Sequence, residues 1–165
     1  MQTLGEVLLQ TGQIGDIRIC LWFDDQAEAA VEHYLRIFKD GRRTDGFKRS
    51  GDKPALTVGF ELRGRTFLAL NGGPMFKFTP AVSLIVDCAN QEEIDYYWER
   101  LSEGGAKSGC GWLQDKFGLS WQIIPRELPR LLSRGPAVME ALMKMDKLDI
   151  ALLERAGAKA EETKP

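Results

Sequence analysis

Histidine is almost missing from this chain: of 165 residues, only His33 is one. That scarcity removes imidazole-rich metal centres and makes Ser–His or Cys–His nucleophilic pairs hard to assemble. Cysteine is also sparse, with Cys20, Cys88 and Cys110 forming an odd set without CxxC spacing. This argues against a disulfide scaffold or zinc knuckle and points to a reducing cytoplasm as the expected location. No run approaches the ~18 apolar residues of a membrane span, and Met1–Asp16 has neither the basic start nor the apolar core of a signal peptide. Charge of one sign is lacking too. Lys plus Arg number 22 against Asp plus Glu 24, a net of −2, so no overall field draws the chain to nucleic acid or anionic lipid. Arg36, Lys39, Arg42, Arg43, Lys48 and Arg49 are interrupted by Asp40 and Asp45 and read as a solvated face. Finally, no glycine-rich turn leads from a strand into a helix. Gly72–Gly73 runs into Pro74, Gly104–Gly105 closes a helix, and Gly109 and Gly111 lie in a strand region, which excludes a doubly wound cofactor site.

What is present is one unit written twice. Val31-Glu-His-Tyr-Leu-Arg-Ile-Phe-Lys-Asp-Gly41 is echoed by Ile94-Asp-Tyr-Tyr-Trp-Glu-Arg-Leu-Ser-Glu-Gly104, and Gly64-Arg-Thr-Phe-Leu-Ala-Leu70 by Gly118-Leu-Ser-Trp-Gln-Ile-Ile124. Each copy runs strand, amphipathic helix, then short strands. The cleft between two such units is a natural binding place.

Local patterns predict the elements. Asp25-Gln-Ala-Glu28 has the form of a capping box, after which Ala27, Ala30, Val31, Tyr34, Leu35 and Phe38 make one apolar stripe. His33 falls off that stripe and is expected on the exposed side. Asn90-Gln-Glu-Glu93 opens the second helix, with Ile94, Tyr97, Trp98 and Leu101 inward. Strands are predicted over Ile17–Phe23, Leu56–Leu62, Arg65–Leu70, Val82–Val86, Lys107–Leu113 and Leu119–Ile124, with a hairpin about Arg63-Gly64. Asp87 and Asp115 read as turn residues. Helices are predicted over Arg126–Ser133, Pro136–Met145 and Leu148–Ala156. The expected organisation is therefore an N-terminal extension (1–16), a two-module domain (17–125, modules about 17–72 and 80–125), C-terminal helices (126–157) and a flexible tail (158–165).

Asn71-Gly-Gly-Pro-Met-Phe-Lys-Phe78, Gln91-Glu-Glu-Ile-Asp-Tyr-Tyr-Trp98, Cys110-Gly-Trp-Leu-Gln-Asp-Lys-Phe-Gly-Leu-Ser-Trp-Gln122 and Met145-Asp-Lys-Leu-Asp-Ile150 together carry a family resemblance. The chain closely resembles the PhnB-like branch of the vicinal oxygen chelate superfamily, which includes glyoxalases, ring-cleaving dioxygenases and bleomycin- and fosfomycin-resistance proteins. The resemblance implies an α+β fold of two tandem βαβββ modules, a curved mixed sheet around a cleft, with helices following. Members of this branch are commonly labelled demethylubiquinone methyltransferase-like, a label that does not identify a reaction.

The superfamily's usual metal is held by His in the first strand of each module and Glu in the last. Matching the segment Asp115–Ile123 to the end of the second module puts Gln122 where Glu is expected, and the same shift puts Leu68 at the first module's equivalent. The first-strand positions fall near Ile17–Arg18 and Pro80–Ala81, without His. Divalent cations need several oxygen or nitrogen donors together, so no metal and no cofactor are expected. Trp22, Phe76 and Trp112 as apolar walls, with Asn71, Ser83, Ser120 and Gln122 as polar anchors, form the candidate ligand-binding set. The expected partner is a small organic molecule. A homodimer is also expected, because the resemblance implies module pairing across a two-fold axis and a small monomer could not bury all of Val138, Leu142, Met143, Leu148, Leu152 and Leu153. Three readings follow: a metal-independent small-molecule-binding protein, an enzyme of unknown substrate, or a dimerisation module with a filled cleft.

Overall fold

Alternating side chains and two apolar helical stripes assemble into a duplicated module. The computed structural model describes residues 17–47 and 54–162; the N-terminal extension Met1–Asp16, Lys48 and Arg49 of the basic run, and residues 163–165 of the tail lie outside them. The first module runs β1 (Ile19–Phe23), α1 (Ala27–Ile37), β2 (Arg42–Thr44), β3 (Thr57–Leu62) and β4 (Arg65–Asn71). The second runs β5 (Ser83–Cys88), α2 (Gln91–Ser102), β6 (Ala106–Lys107), β7 (Trp112–Gln114) and β8 (Ser120–Pro125). After them come α3 (Leu128–Leu132), α4 (Pro136–Leu142) and α5 (Ile150–Glu162). Each module builds its own four-stranded mixed sheet, in the orders β1-β4-β3-β2 and β5-β8-β7-β6. In both, the first strand lies parallel to the last and the remaining pairs are antiparallel. The β3–β4 turn takes Arg63 and Gly64 at φ 50° and 74°, as the predicted hairpin requires.

Period-two alternation decides which side of each sheet is buried. Leu21 and Phe23, Val58, Phe60 and Leu62, and Phe67 and Ala69 point toward the helices from the first sheet; Val86 and Cys88, Leu113, Trp121 and Ile123 do so from the second. With Val31 and Tyr34 of α1 and Ile94, Trp98 and Leu101 of α2 they form one core shared by both modules. Each large side chain fully buried there contributes about 1.5–3 kcal/mol.

Several local expectations are corrected. Asp25 does not cap α1. The N-cap is Gln26 without a side-chain bond, and the amide of Ala27 donates instead to Asn71 Oδ1 at 2.8 Å. Glu28 is drawn away from a capping box because its carboxylate accepts from the Ala55 amide at 3.0 Å and from Asn71 Nδ2 at 3.4 Å. At α2 the expected cap forms: Asn90 Oδ1 accepts from the Glu93 amide and Glu93 Oε2 from the Ala89 amide, both at 2.9 Å. The predicted strand Lys107–Leu113 is split into β6 and β7 because Cys110 and Gly111 turn to φ 61° and 80°. A Cβ on Gly111 would lie 2.7 Å from the Ile123 carbonyl oxygen, so only glycine fits that approach.

That turn anchors the C-terminal helices. The amides of Cys110 and Gly111 donate to the carbonyls of Met145 and Asp146, each at 2.7 Å, and Gln91 bonds both the Leu148 carbonyl and the Ile150 amide. Leu131, Val138, Leu142, Leu148 and Leu153 form a second cluster. Of the six apolar residues that a monomer is not expected to bury in full, four are buried within the chain, while Met143 (65% exposed) and Leu152 (43%) project outward. The helix α5 continues through Glu162, past Ala156 and into the expected tail, because nothing in that segment breaks it.

Candidate functional site

The sheet face turned away from the helices gathers part of the predicted set. On β8, Trp121 and Ile123 take the helix side, so Gln122 lies on the other. Its Nε2 donates to Ser83 Oγ of β5 at 2.8 Å, and Trp112 of β7 sits in register with it. Ser83, Trp112 and Gln122 thus share one open patch, beside Ile85, which is 54% exposed. Ser120, two residues along β8, is buried.

The other predicted residues lie elsewhere. Asn71 follows Phe67 and Ala69 in the alternation of β4 and turns to the helix side, where its amide caps α1 and donates to the Ala55 carbonyl at 2.9 Å. It supports the fold rather than facing the open patch. Trp22 and Phe76 pair edge to face, with ring centroids 4.9 Å apart and planes at 80°. The Trp22 Nε1 donates to the Gly73 carbonyl at 2.8 Å, and a Cβ on Gly72 would come within 2.4 Å of the indole. Glycine at 72 therefore lets the indole lie against bare backbone. Trp22 is a wall common to two cavities, of about 320 Å³ and about 460 Å³.

The donor set can be tested against a divalent metal. Leu68 pairs Cys20, and Gln122 pairs Ile85, at corresponding points of the two sheets. No carboxylate or imidazole stands at those four positions, leucine has no lone pair, and Gln122, whose NH2 group bonds Ser83, offers only one neutral amide oxygen. Among the described residues no group of three or more His, Cys, Asp or Glu is placed to hold a metal ion. These residues do not fit the metal that the fold family implies.

Two residues carry more than their sequence context suggests. His33 is not exposed: it is 6% accessible, its ring lies 5.7 Å from that of Phe117, and its Nε2 is buried without a hydrogen-bond partner. The Asp115–Gly118 turn of the second module covers that flank of α1, a contact no periodicity within α1 can reveal. Desolvation, aided by Lys116 and Arg36 and opposed by Glu103, pushes the His33 pKa down to about 4. Asp115 is a turn residue and also a buried hub. Its Oδ1 accepts from the amides of Phe117 and Leu119 at 2.9 and 3.0 Å, and its Oδ2 from Tyr34 Oη and Trp121 Nε1, both at 2.8 Å. The available signal was that Tyr34 and Trp121 both face the core with a polar tip that needs a partner. Burial holds the Asp115 carboxyl above its ordinary range, while these four bonds pull it back. Burial likewise pushes the Cys88 thiol up to about 12, so it is no thiolate nucleophile.

Comparison with known proteins adds to this geometry. Residues 15–124 match a protein-family model described as 3-demethylubiquinone-9 3-methyltransferase. Among solved structures, the PhnB protein from Bacillus cereus is 30% identical, with a TM-score of 0.62, over 67% of this chain and 99% of that one. The protein PA1353 from Pseudomonas aeruginosa is 16% identical, with a TM-score of 0.57, over 67% and 96%. A mutant of the fosfomycin resistance protein FosX from Listeria monocytogenes, complexed with Mn(II) and 1S,2S-dihydroxypropylphosphonic acid, is 16% identical, with a TM-score of 0.54, over 72% and 97%. The last two likenesses concern the fold alone. No curated protein matches the chain. The family match ends at residue 124, so α3, α4 and α5 lie beyond it.

Proposed function

Because the chain belongs to the 3-demethylubiquinone-9 3-methyltransferase family, a PhnB-like branch of the vicinal oxygen chelate superfamily, we propose that it binds a small organic molecule without a metal. The binding place is the open face of the second sheet, with Trp112 as wall and the Ser83–Gln122 pair as polar anchor. The observation that carries this reading is the 2.8 Å bond from Gln122 Nε2 to Ser83 Oγ. The resemblance implies a carboxylate ligand at this position, and the bond supports the reading because it engages instead a neutral amide, able to donate and accept. A neutral pair suits an oxygen-bearing neutral molecule, whose groups can exchange hydrogen bonds with both side chains. Methyl transfer gains no support from the residues, since the glycines form no cofactor turn.

The test is a thermal-shift screen of aromatic and oxygen-rich metabolites followed by calorimetry on each hit. Binding should persist after dialysis against EDTA, and Gln122→Ala should weaken it by roughly 1 kcal/mol, about fivefold. Affinity lost to EDTA and restored by Mn(II), or a screen in which no hit is weakened by Gln122→Ala, would overturn the reading.

The same proposal includes a homodimer. No helix among the described residues is long and apolar enough to cross a membrane, yet Ile19, Val82 and Ile85 are 41%, 63% and 54% exposed. β1 and β5 are moreover edge strands, each paired on one side only, which favours association with another surface. Light scattering at micromolar concentration should give about twice the 18.5 kDa chain mass; a single-chain mass would reject the dimer.

A further inference from the structure

The segment after β4 that carries Pro74–Phe78 and the Gln114–Gly118 stretch of the second module meet around the cavity of about 320 Å³. Its apolar wall is almost wholly aromatic. Trp22 and Phe76 form one side, and Phe78 and Phe117 another, over the buried ring of Phe23. Phe23 meets Phe78 and Phe117 edge on, at 5.2 and 6.1 Å between centroids. The Trp22 indole is fixed rather than free, held by its bond to the Gly73 carbonyl and its seat on Gly72. Rings immobilised in this way lose little entropy when another ring is added, and edge-to-face contacts favour a further aromatic guest.

The rim adds charges of both signs. Asp24, just after β1, and Lys77, between Phe76 and Phe78, both line the cavity. Both are exposed, and neither has an ion-pair partner among the described residues. The other polar side chains of the lining, Gln26 and Gln114, are neutral amides, and the Gln114 NH2 group already bonds the Gly118 carbonyl, so these two charges are the strongest polar features of the mouth. A guest with a single charge gains from one and is repelled by the other, whereas a guest carrying both charges on one short tail gains from both.

We propose that this cavity is a second ligand site, distinct from the Ser83–Gln122 face, and that it takes an aromatic α-amino acid. The ring enters between Trp22, Phe76, Phe78 and Phe117, the ammonium group meets Asp24 and the carboxylate meets Lys77.

The experiment titrates the full chain with L-phenylalanine, 3-phenylpropionate and phenethylamine and follows tryptophan indole N–H signals by NMR. The Trp22 signal is assigned by its loss in Trp22→Phe. L-phenylalanine should shift it and bind about threefold to fivefold more tightly than either analogue, the range for one exposed charge contact. Lys77→Ala should reduce L-phenylalanine to the level of phenethylamine, and Asp24→Asn to the level of 3-phenylpropionate. Gln122→Ala should leave all three unchanged, which separates this site from the sheet-face site. Equal affinity for the three probes, shifts at Trp112 in place of Trp22, or no shift at all up to roughly 10 mM would each overturn the proposal.

Discussion

An Asp115→Ala variant should lose about 4 kcal/mol of unfolding free energy, measured by urea denaturation at neutral pH. Asp115 is 2% exposed and accepts four hydrogen bonds, from the Phe117 and Leu119 amides, the Tyr34 hydroxyl and the Trp121 indole. Truncation leaves four donors facing a small void, and each buried donor left unpaired costs about 1–3 kcal/mol before relaxation. Tyr34 belongs to the first module and Trp121 to the second, so the loss also loosens their common core. Asp115→Asn distinguishes the hydrogen bonds from mere volume. An amide oxygen can still serve the two backbone donors, and the Tyr34 hydroxyl can rotate to accept, but the Trp121 N–H is donor only and meets an NH2 group. Asn should therefore recover roughly half of the loss. If Asp115→Ala costs no more than a surface change, about 0.5 kcal/mol, the hub does not hold the modules together.

The parts of this fold that were legible in the sequence are those whose determinants are local. The stripes of α1 and α2 follow from spacing alone, and Ile94, Tyr97, Trp98 and Leu101 are buried as that spacing demands. Gln122 could be placed because its neighbours Trp121 and Ile123 so plainly claim the opposite face. The same rule, applied to Phe67, Ala69 and Asn71, would have turned Asn71 inward; the Asn-Gly-Gly turn signal obscured it. What local pattern could not supply was contact between modules. Ala27 is capped by Asn71 rather than by Asp25. His33 is covered by Phe117, and Asp115 reaches Tyr34 across the core. The split at Cys110–Gly111 belongs to the same class, since its two positive φ angles serve to receive Met145 and Asp146. The C-terminal helices bury four of the six apolar residues named for them and leave Met143 and Leu152 outward, a division that only their packing against one another decides.

His33 should contribute a loss of stability on acidification, and replacing it should remove that contribution. In the unfolded chain its imidazole titrates near the ordinary 6.5, whereas in the fold desolvation and the nearby cations Lys116 and Arg36 push the value down to about 4. Between those values the unfolded chain binds a proton that the folded chain refuses, so stability rises with pH across the window. The contribution is intact above about 6.5 and is lost as pH falls toward 4. At about 1.4 kcal/mol per unit, and allowing for partial solvation, the loss is on the order of 2 kcal/mol. The Asp115 carboxyl, held above its ordinary range, slopes the other way, so the wild-type profile alone is ambiguous and the difference between variants is the decisive quantity. His33→Leu keeps an apolar group against Phe117 and removes both the titration and the orphaned Nε2. At pH 7 the variant should be as stable as wild type or more so, because an unpartnered buried nitrogen has been deleted. Its advantage should then grow by on the order of 2 kcal/mol between pH 7 and pH 4.5. Urea midpoints measured at half-unit intervals check this: parallel profiles for the two proteins would show that His33 takes up its proton in the fold as readily as in the open chain.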